Sequence, residues 1–319
     1  MKIAVIGGSG FIGGRLIKRL SAEHRVLNID RVQRDDLPCE SVVGDVRSPA
    51  SFASQLAGYD LIILLAAEHR DDVSPVSLYY DVNVEGMRNV LAAMDEHGIT
   101  RLVFTSTVAV YGIDRESPPG ETDALAPFND YGVSKMQAEA LLNAWQAKDS
   151  ARSALVLRPT VLFGEGNRGN VYNLLNMVHS GKFLMIGNGK NRKSMAYVGN
   201  FVAFLQHSIR SGFQGLEVFN FVDTPDMNMN TLVAQIYAFK GKPAPRIRLP
   251  YFIGITAGYF CDVLSKLVRK PLPVSSTRVR KFCASTEINA TKMLATGFVA
   301  PIKLEDSIAN TLKHEFSKR

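Results

Sequence analysis

The first thirteen positions of this 319-residue chain constrain its fold more than any other stretch. Ile3, Ala4, Val5 and Ile6 form an apolar run too short for a helix, and Gly7-Gly8-Ser9-Gly10-Phe11-Ile12-Gly13 follows at once. Residues 11–22 then carry helical spacing. A buried strand that turns through glycines into a helix is the opening of a nucleotide-binding α/β sheet. In that geometry Gly7 permits the tight turn, Gly10 lets a pyrophosphate approach the backbone, and Gly13 lets helix and strand pack closely. The helix start offers free N–H groups and a partial positive charge to the phosphates, with Ser9, Phe11 and Ile12 in the same loop.

The alternation continues. Arg25–Ile29, Leu61–Ala66, Leu102–Ser106 and Ala154–Leu157 read as strands, and 83–97 and 132–147 as helices. Fully apolar strands separated by helices predict a parallel sheet covered on both faces. The fold class is therefore α/β, a Rossmann-type doubly wound parallel sheet with a smaller C-terminal substrate lobe. The expected division is residues 1–163 for NAD binding, with 194–222 returning to that domain, and 164–193 plus 223–319 for the substrate lobe. Asp30 ends the second strand, 17 residues beyond Gly13. A carboxylate there accepts hydrogen bonds from the adenosine ribose and repels a 2′-phosphate, which favours NAD over NADP. Arg31 beside it counts in the other direction.

A second motif, Tyr131-Gly132-Val133-Ser134-Lys135, carries the chemistry. Tyrosine is a poor base at neutral pH. A lysine four residues on shares its helix face, and that charge, with the charge of an oxidised nicotinamide, favours the phenolate. Tyr131 can then take a proton from a hydroxyl while hydride leaves the same carbon. Thr105-Ser106-Thr107, at a strand end, supplies hydroxyls to hold the substrate oxygen.

Composition narrows the class further. Cys39, Cys261 and Cys283 are far apart, which argues against a zinc site and a disulfide framework, and no metal is expected. The opening residues read as a strand rather than a signal peptide, because only four apolar residues separate Lys2 from the glycines, and no apolar stretch reaches the length expected of a membrane span. The net charge of +7 is uneven. Between Lys240 and Lys281 stand ten basic residues and one acid, Asp262, so this segment carries +9 and the remainder −2. Within it, residues 249–268 are apolar and aromatic, followed by Arg269-Lys270 and Arg278-Val279-Arg280-Lys281. An apolar stretch flanked by cations suits an anionic membrane surface. It equally suits an amphipathic helix packed on the substrate lobe. No nucleic-acid motif accompanies the charge.

At this point the chain resembles the extended short-chain dehydrogenase/reductase family. The matching segments are GGSGFIG (7–13), GDV (44–46), LLAA (64–67), NVEG (83–86), FTSTVAVYG (104–112), YGVSK (131–135) and LRPTVLFG (157–164). The resemblance implies NAD as cofactor and the set Tyr131, Lys135 and Thr107 as catalytic residues. It implies that Asp45 and Val46 meet the adenine, that Leu65, Ala66 and Ala67 line the cofactor, and that Asn83 lies on the nicotinamide side. Pro159 and Val161 would border the nicotinamide, although Leu65 and Val161 also suit simple core packing. Members that dehydrate nucleotide sugars carry Asp-Glu after the threonine. Here Val108-Ala109 follow Thr107, which leaves redox chemistry at one carbon: epimerisation with recycled NAD, or reduction of a keto sugar by NAD(P)H.

Segments 66–86, 166–175, 193–204 and 249–301 are similar to the branch of that family that epimerises C4 of N-acetylglucosamine carried on undecaprenyl diphosphate, for O-antigen and other surface polysaccharides. That implies a lipid-linked amino-sugar diphosphate as substrate, a peripheral position on the inner face of the cytoplasmic membrane, and a homodimer. Arg192 and Lys193 would then present cations to the diphosphate, Asn170 would face the substrate, and His69 and Arg70 would touch cofactor or sugar. The alternatives are a soluble UDP-N-acetylglucosamine 4-epimerase, an NAD(P)H-dependent 4-keto-sugar reductase, and a cofactor-sensing protein without turnover.

Overall fold

Apolar runs of four to six residues, each followed by a glycine or a polar turn, form the centre of the first unit. The computed structural model describes residues 1–70, 73–113, 115–268 and 275–317. Arg269 and Lys270 of the basic segment lie outside the described residues, as do the side chains of Lys266, Arg278 and Lys281. The chain divides into two units. The first comprises Met1–Thr160, Ala196–Val222 and Ile288–Ile302, and the second Val161–Met195, Asp223–Glu287 and Lys303–Arg319.

In the first unit seven strands make one sheet. They are β1 (Lys2–Ile6), β2 (Arg25–Asp30), β3 (Glu40–Val43), β4 (Leu61–Leu64), β5 (Arg101–Thr105), β6 (Ser153–Pro159) and β7 (Leu216–Phe221). Their order across the sheet is β7-β6-β5-β4-β1-β2-β3, and every pairing is parallel. The chain therefore reverses direction of winding between β1 and β4, the switch point where ligands bind beyond the strand ends in such sheets. Burial on both faces explains the unbroken apolar strands: Ile3, Ala4, Val5, Leu61, Ile62 and Ile63 are all fully buried. Helices α1 (Gly13–Leu20), α2 (Ser77–Tyr80), α3 (Gly86–Glu96) and α4 (Asp130–Gln146) follow in the first half. The helix expected over 83–97 begins instead with a wide turn at Asp81–Glu85 that continues into α3.

The second unit holds α5 (Asn170–His179), α7 (Met229–Phe239), α8 (Tyr251–Val268), α9 (Ser276–Cys283) and α11 (Leu304–Phe316), while α6 (Val198–Ser211) and α10 (Thr291–Ala295) belong to the first. Short ladders tie the second unit together, Arg192–Lys193 antiparallel to Met227–Asn228 and Met185–Ile186 parallel to Arg248–Leu249. His179 and Tyr172 of α5 both stack on Phe316 of α11. Among the described residues no helix is long and apolar enough to cross a membrane.

Candidate active site

The glycine turn is held where three strand ends meet. The Gly7 N–H donates to the Ile29 carbonyl of β2 at 2.7 Å, and the Ile6 carbonyl accepts from both Leu65 (2.8 Å) and Ala66 (2.9 Å) after β4. Gly7 adopts φ +90°, and a Cβ there would lie 2.3 Å from the Ala66 nitrogen. No other residue fits that turn. A Cβ on Gly13 would lie 2.4 Å from the Gly8 Cα, so α1 can start this close to the turn only through a glycine. Gly10 differs: its Cβ would meet a single neighbour, the Gly7 carbonyl at 3.4 Å. The space above Gly10 and the helix start is open, and it suits a pyrophosphate.

Asp30 stands at the end of β2, where its carboxylate accepts the Ser9 N–H (3.0 Å) and the Val32 N–H (3.1 Å). The loop thereby fixes the carboxylate while leaving lone pairs for ribose hydroxyls. Arg31 is exposed. Asp45 is taken by Arg47, whose guanidinium holds that carboxyl below its usual range. Val46 is buried, and its carbonyl accepts from Asn89 (2.8 Å).

The second motif begins a helix, as the capping chemistry demands. The Asn129 side chain accepts the Gly132 N–H at 2.9 Å, and Asp130 occupies the favourable first turn of α4. Gly132 permits the next contact. A Cβ there would fall 2.8 Å from the Ala109 carbonyl. The start of α4 therefore lies directly against the turn Val108–Tyr111 that Thr107 caps. The Thr107 hydroxyl oxygen accepts the Ala109 N–H at 3.1 Å. That bond orients the hydroxyl and leaves its proton for a ligand oxygen.

Lys135 is 2% exposed and lies over the Phe104 ring of β5, 4.1 Å from its centroid. Burial pulls its ammonium down to about 7, opposed by the Glu139 carboxylate one turn on. A lysine poised there holds partial charge one turn from Tyr131 and can pass a proton near neutrality. The Tyr131 ring lies 6.3 Å from the Tyr79 ring. Thr105 Oγ1, Ser106 Oγ and Thr160 Oγ1 are buried and have no hydrogen-bond partner among the described residues. Buried hydroxyls without partners at strand ends are what a polar ligand would satisfy. With the open Gly10 cradle they fit an adenine–nicotinamide dinucleotide.

Two features go beyond what the sequence motifs indicate. Asn83 holds the Glu68 backbone by both N–H (2.9 Å) and carbonyl (3.0 Å) and donates to Ser134 Oγ (2.9 Å), which in turn donates to the Tyr131 carbonyl (2.8 Å). This chain of bonds ties the turn after β4 to the tyrosine. Arg158 makes a two-pronged buried ion pair with Glu139 (3.0 and 2.6 Å) and donates to Tyr111 Oη (2.7 Å), which donates to Asn220 (2.8 Å). A lone arginine in the apolar run 154–159 is the one sequence signal for that pair.

Other expected residues are less engaged. Leu65, Ala66 and Ala67 are half-buried after β4, with the first two holding the glycine turn, and Pro159 closes β6. His69 and Arg70 are exposed, and Arg70 pairs with Glu68. In the second unit Val161 is 39% exposed and so does not serve the core, and Asn170 and Arg192 are exposed. The Lys193 ammonium donates to the Ala284 carbonyl at 2.5 Å, and burial draws it down to about 8.

Residues 3–220 match the NAD dependent epimerase/dehydratase family. The chain belongs to that family. As a member of the NAD dependent epimerase/dehydratase family it is an NAD-dependent enzyme, in accord with the Gly10 cradle and Asp30. The chain is 50% identical over 315 residues, 98% of its length and 95% of the relative's, to the N-acetyl-α-D-glucosaminyl-diphospho-ditrans,octacis-undecaprenol 4-epimerase of Escherichia coli O157:H7. It is 30% identical over 260 residues, 78% of each chain, to the UDP-glucose 4-epimerase of Vibrio cholerae. The structure of a UDP-glucose 4-epimerase from Thermotoga maritima superposes with a TM-score of 0.76 at 18% identity, covering 98% of both chains, which shows the shared fold.

Proposed function

We propose that this enzyme interconverts N-acetylglucosamine and N-acetylgalactosamine carried on undecaprenyl diphosphate, by transient oxidation at C4, for surface polysaccharide assembly. The near-full-length likeness to the Escherichia coli 4-epimerase carries this reading. Bound NAD supplies the chemistry of accepting a hydride from C4 and giving it back.

The protein's own residues manage the proton and the geometry. Tyr131, as phenolate, takes the proton of the C4 hydroxyl as the C–H bond breaks, and returns it when the bond is remade on the other face. Lys135 stabilises the phenolate from one turn below. Thr107 donates its free O–H to the C4 oxygen and so fixes the reacting carbon. The glycine loop (Gly7, Ser9, Gly10, Phe11, Ile12, Gly13) and Asp30 hold the dinucleotide, with Asp45 and Val46 toward the adenine. Leu65, Ala66, Ala67, Asn83, Pro159 and Val161 complete that set. Arg192 and Lys193 meet the substrate diphosphate, and His69 and Asn170 its sugar. Such a substrate places the enzyme peripherally on the inner face of the cytoplasmic membrane, with an anionic lipid surface as partner, and family analogy favours a homodimer.

Offering the purified enzyme N-acetylglucosaminyl-diphosphoundecaprenol and UDP-N-acetylglucosamine separately tests the substrate. The C4 epimer should form from the lipid-linked sugar. Conversion of the nucleotide sugar alone overturns the lipid assignment.

A further inference from the structure

Helix α8 turns its glycines inward and its aromatic residues outward. A Cβ on Gly254 would meet Ile186 at 2.6 Å, and one on Gly258 would meet the Ser276 backbone at 2.8 Å. Asp262, one turn further along the same stripe, accepts the Ser276 N–H at 3.2 Å. Positions 254, 258 and 262 therefore define the face that packs on the helix's own unit. At 100° per residue the opposite face is centred on Phe252, Thr256, Phe260 and Val263. Phe252 is 67% exposed, Phe260 69% and Val263 59%, and the exposed Ile253 and Leu264 widen the same face.

Helices that close a soluble fold show the reverse arrangement, with apolar residues inward and polar residues outward. An apolar face this continuous marks an interaction surface. Charge identifies the partner. The one acid between Lys240 and Lys281, Asp262, is spent inward on Ser276. Exposed cations flank the face: Arg246 and Arg248 stand just before α8, with Ile247 between them 77% exposed. Arg280 hydrogen-bonds the Tyr259 hydroxyl and lies 5.5 Å from its ring centroid. An apolar, aromatic face edged by cations complements anionic phospholipid headgroups above acyl chains. At 18 residues, with a charge at Asp262, the helix does not meet the needs of a span, so it lies along the surface.

We propose that the Phe252–Phe260–Val263 face of α8 is the membrane-docking surface of this enzyme, seated in the headgroup region of an anionic bilayer. This rests on the reading of a lipid-linked substrate, since it explains how the protein reaches one. The test is co-sedimentation of the full-length protein with vesicles of phosphatidylcholine alone, and of phosphatidylcholine and phosphatidylglycerol in equal parts. Wild type and an F252S/F260S/V263S variant are compared. The wild type should partition to the anionic vesicles at least about tenfold more than to the neutral ones. The variant should lose about tenfold or more of that binding. It should retain NAD binding and epimerisation of detergent-dispersed lipid-linked sugar. Failure of the wild type to bind, equal binding by the variant, or a variant that alters only self-association in sedimentation velocity overturns the docking surface. Vesicle binding that behaves as expected without epimerisation of the dispersed substrate refutes the function and leaves the surface standing.

Discussion

Lys135 shows why a spacing motif works. Four residues from Tyr131 in sequence means one turn away in space, so the pairing is legible in the sequence alone. Its burial against Phe104 is not, because β5 and α4 are separate in the chain. Burial has a measurable consequence. The folded protein releases the Lys135 proton near pH 7, while an unfolded chain holds it until about 10.5. Between these values the unfolded state binds more protons, so folding stability rises with pH by up to about 1.4 kcal/mol per unit; below pH 7 this dependence vanishes. Denaturant melts of Lys135→Met should lack that rise between pH 7 and about 9. Lys193, drawn down to about 8, contributes alike to both proteins and cancels in the comparison. An unchanged slope in the variant would mean that Lys135 is not desolvated. Tyr131→Phe keeps the ring and removes the proton carrier. Its kcat should fall by about 10²–10⁴-fold while NAD binding persists, and an active variant would remove the tyrosine from the mechanism.

At the scale of elements, strands buried on both faces announce themselves by unbroken apolar runs. The edge strands β3 and β7 do not. Glu40-Ser41-Val42-Val43 is half polar, and Leu216–Phe221 is interrupted at Glu217 and Asn220, so neither shows the run that marks a central strand. Contacts between distant residues are likewise invisible in the sequence. Glu139 and Arg158 are 19 positions apart, and Asn83 and Ser134 are 51 apart. Yet these pairs set where α4 sits. Replacing Glu139 by Ala leaves the Arg158 guanidinium buried and unpaired, and should cost about 3–5 kcal/mol in denaturant unfolding. A loss under about 1 kcal/mol would show the pair to be solvated. Gly132→Ala pushes a methyl into the Ala109 carbonyl, displacing α4 from the Thr107 turn. It should lower kcat more than it raises KM for the sugar, as expected when the acid–base group is misplaced rather than binding lost. A rise in KM alone would contradict that.

For the whole molecule, the glycine turn and the tyrosine–lysine helix specify a hydride-transfer enzyme, and they do so because the parallel sheet sets the carboxyl ends of its central strands β1, β4 and β5 side by side. The substrate is less legible. It rests on similarity spread along the chain, because no short motif distinguishes a lipid-borne diphosphate from a nucleotide-borne one. Helix α8 is open to two readings in the sequence for a related reason: an apolar helix does not declare which side is covered, and only the contacts of Gly254 and Gly258 decide it. The central claim is that hydride leaves C4 and returns to the same carbon on cofactor the enzyme retains. The most direct measurement uses lipid-linked N-acetylglucosamine deuterated at C4, with NAD present in less than stoichiometric amount. The N-acetylgalactosamine product should retain the deuterium at C4. Loss of the label, or product that forms only with stoichiometric reduced cofactor, would contradict the account.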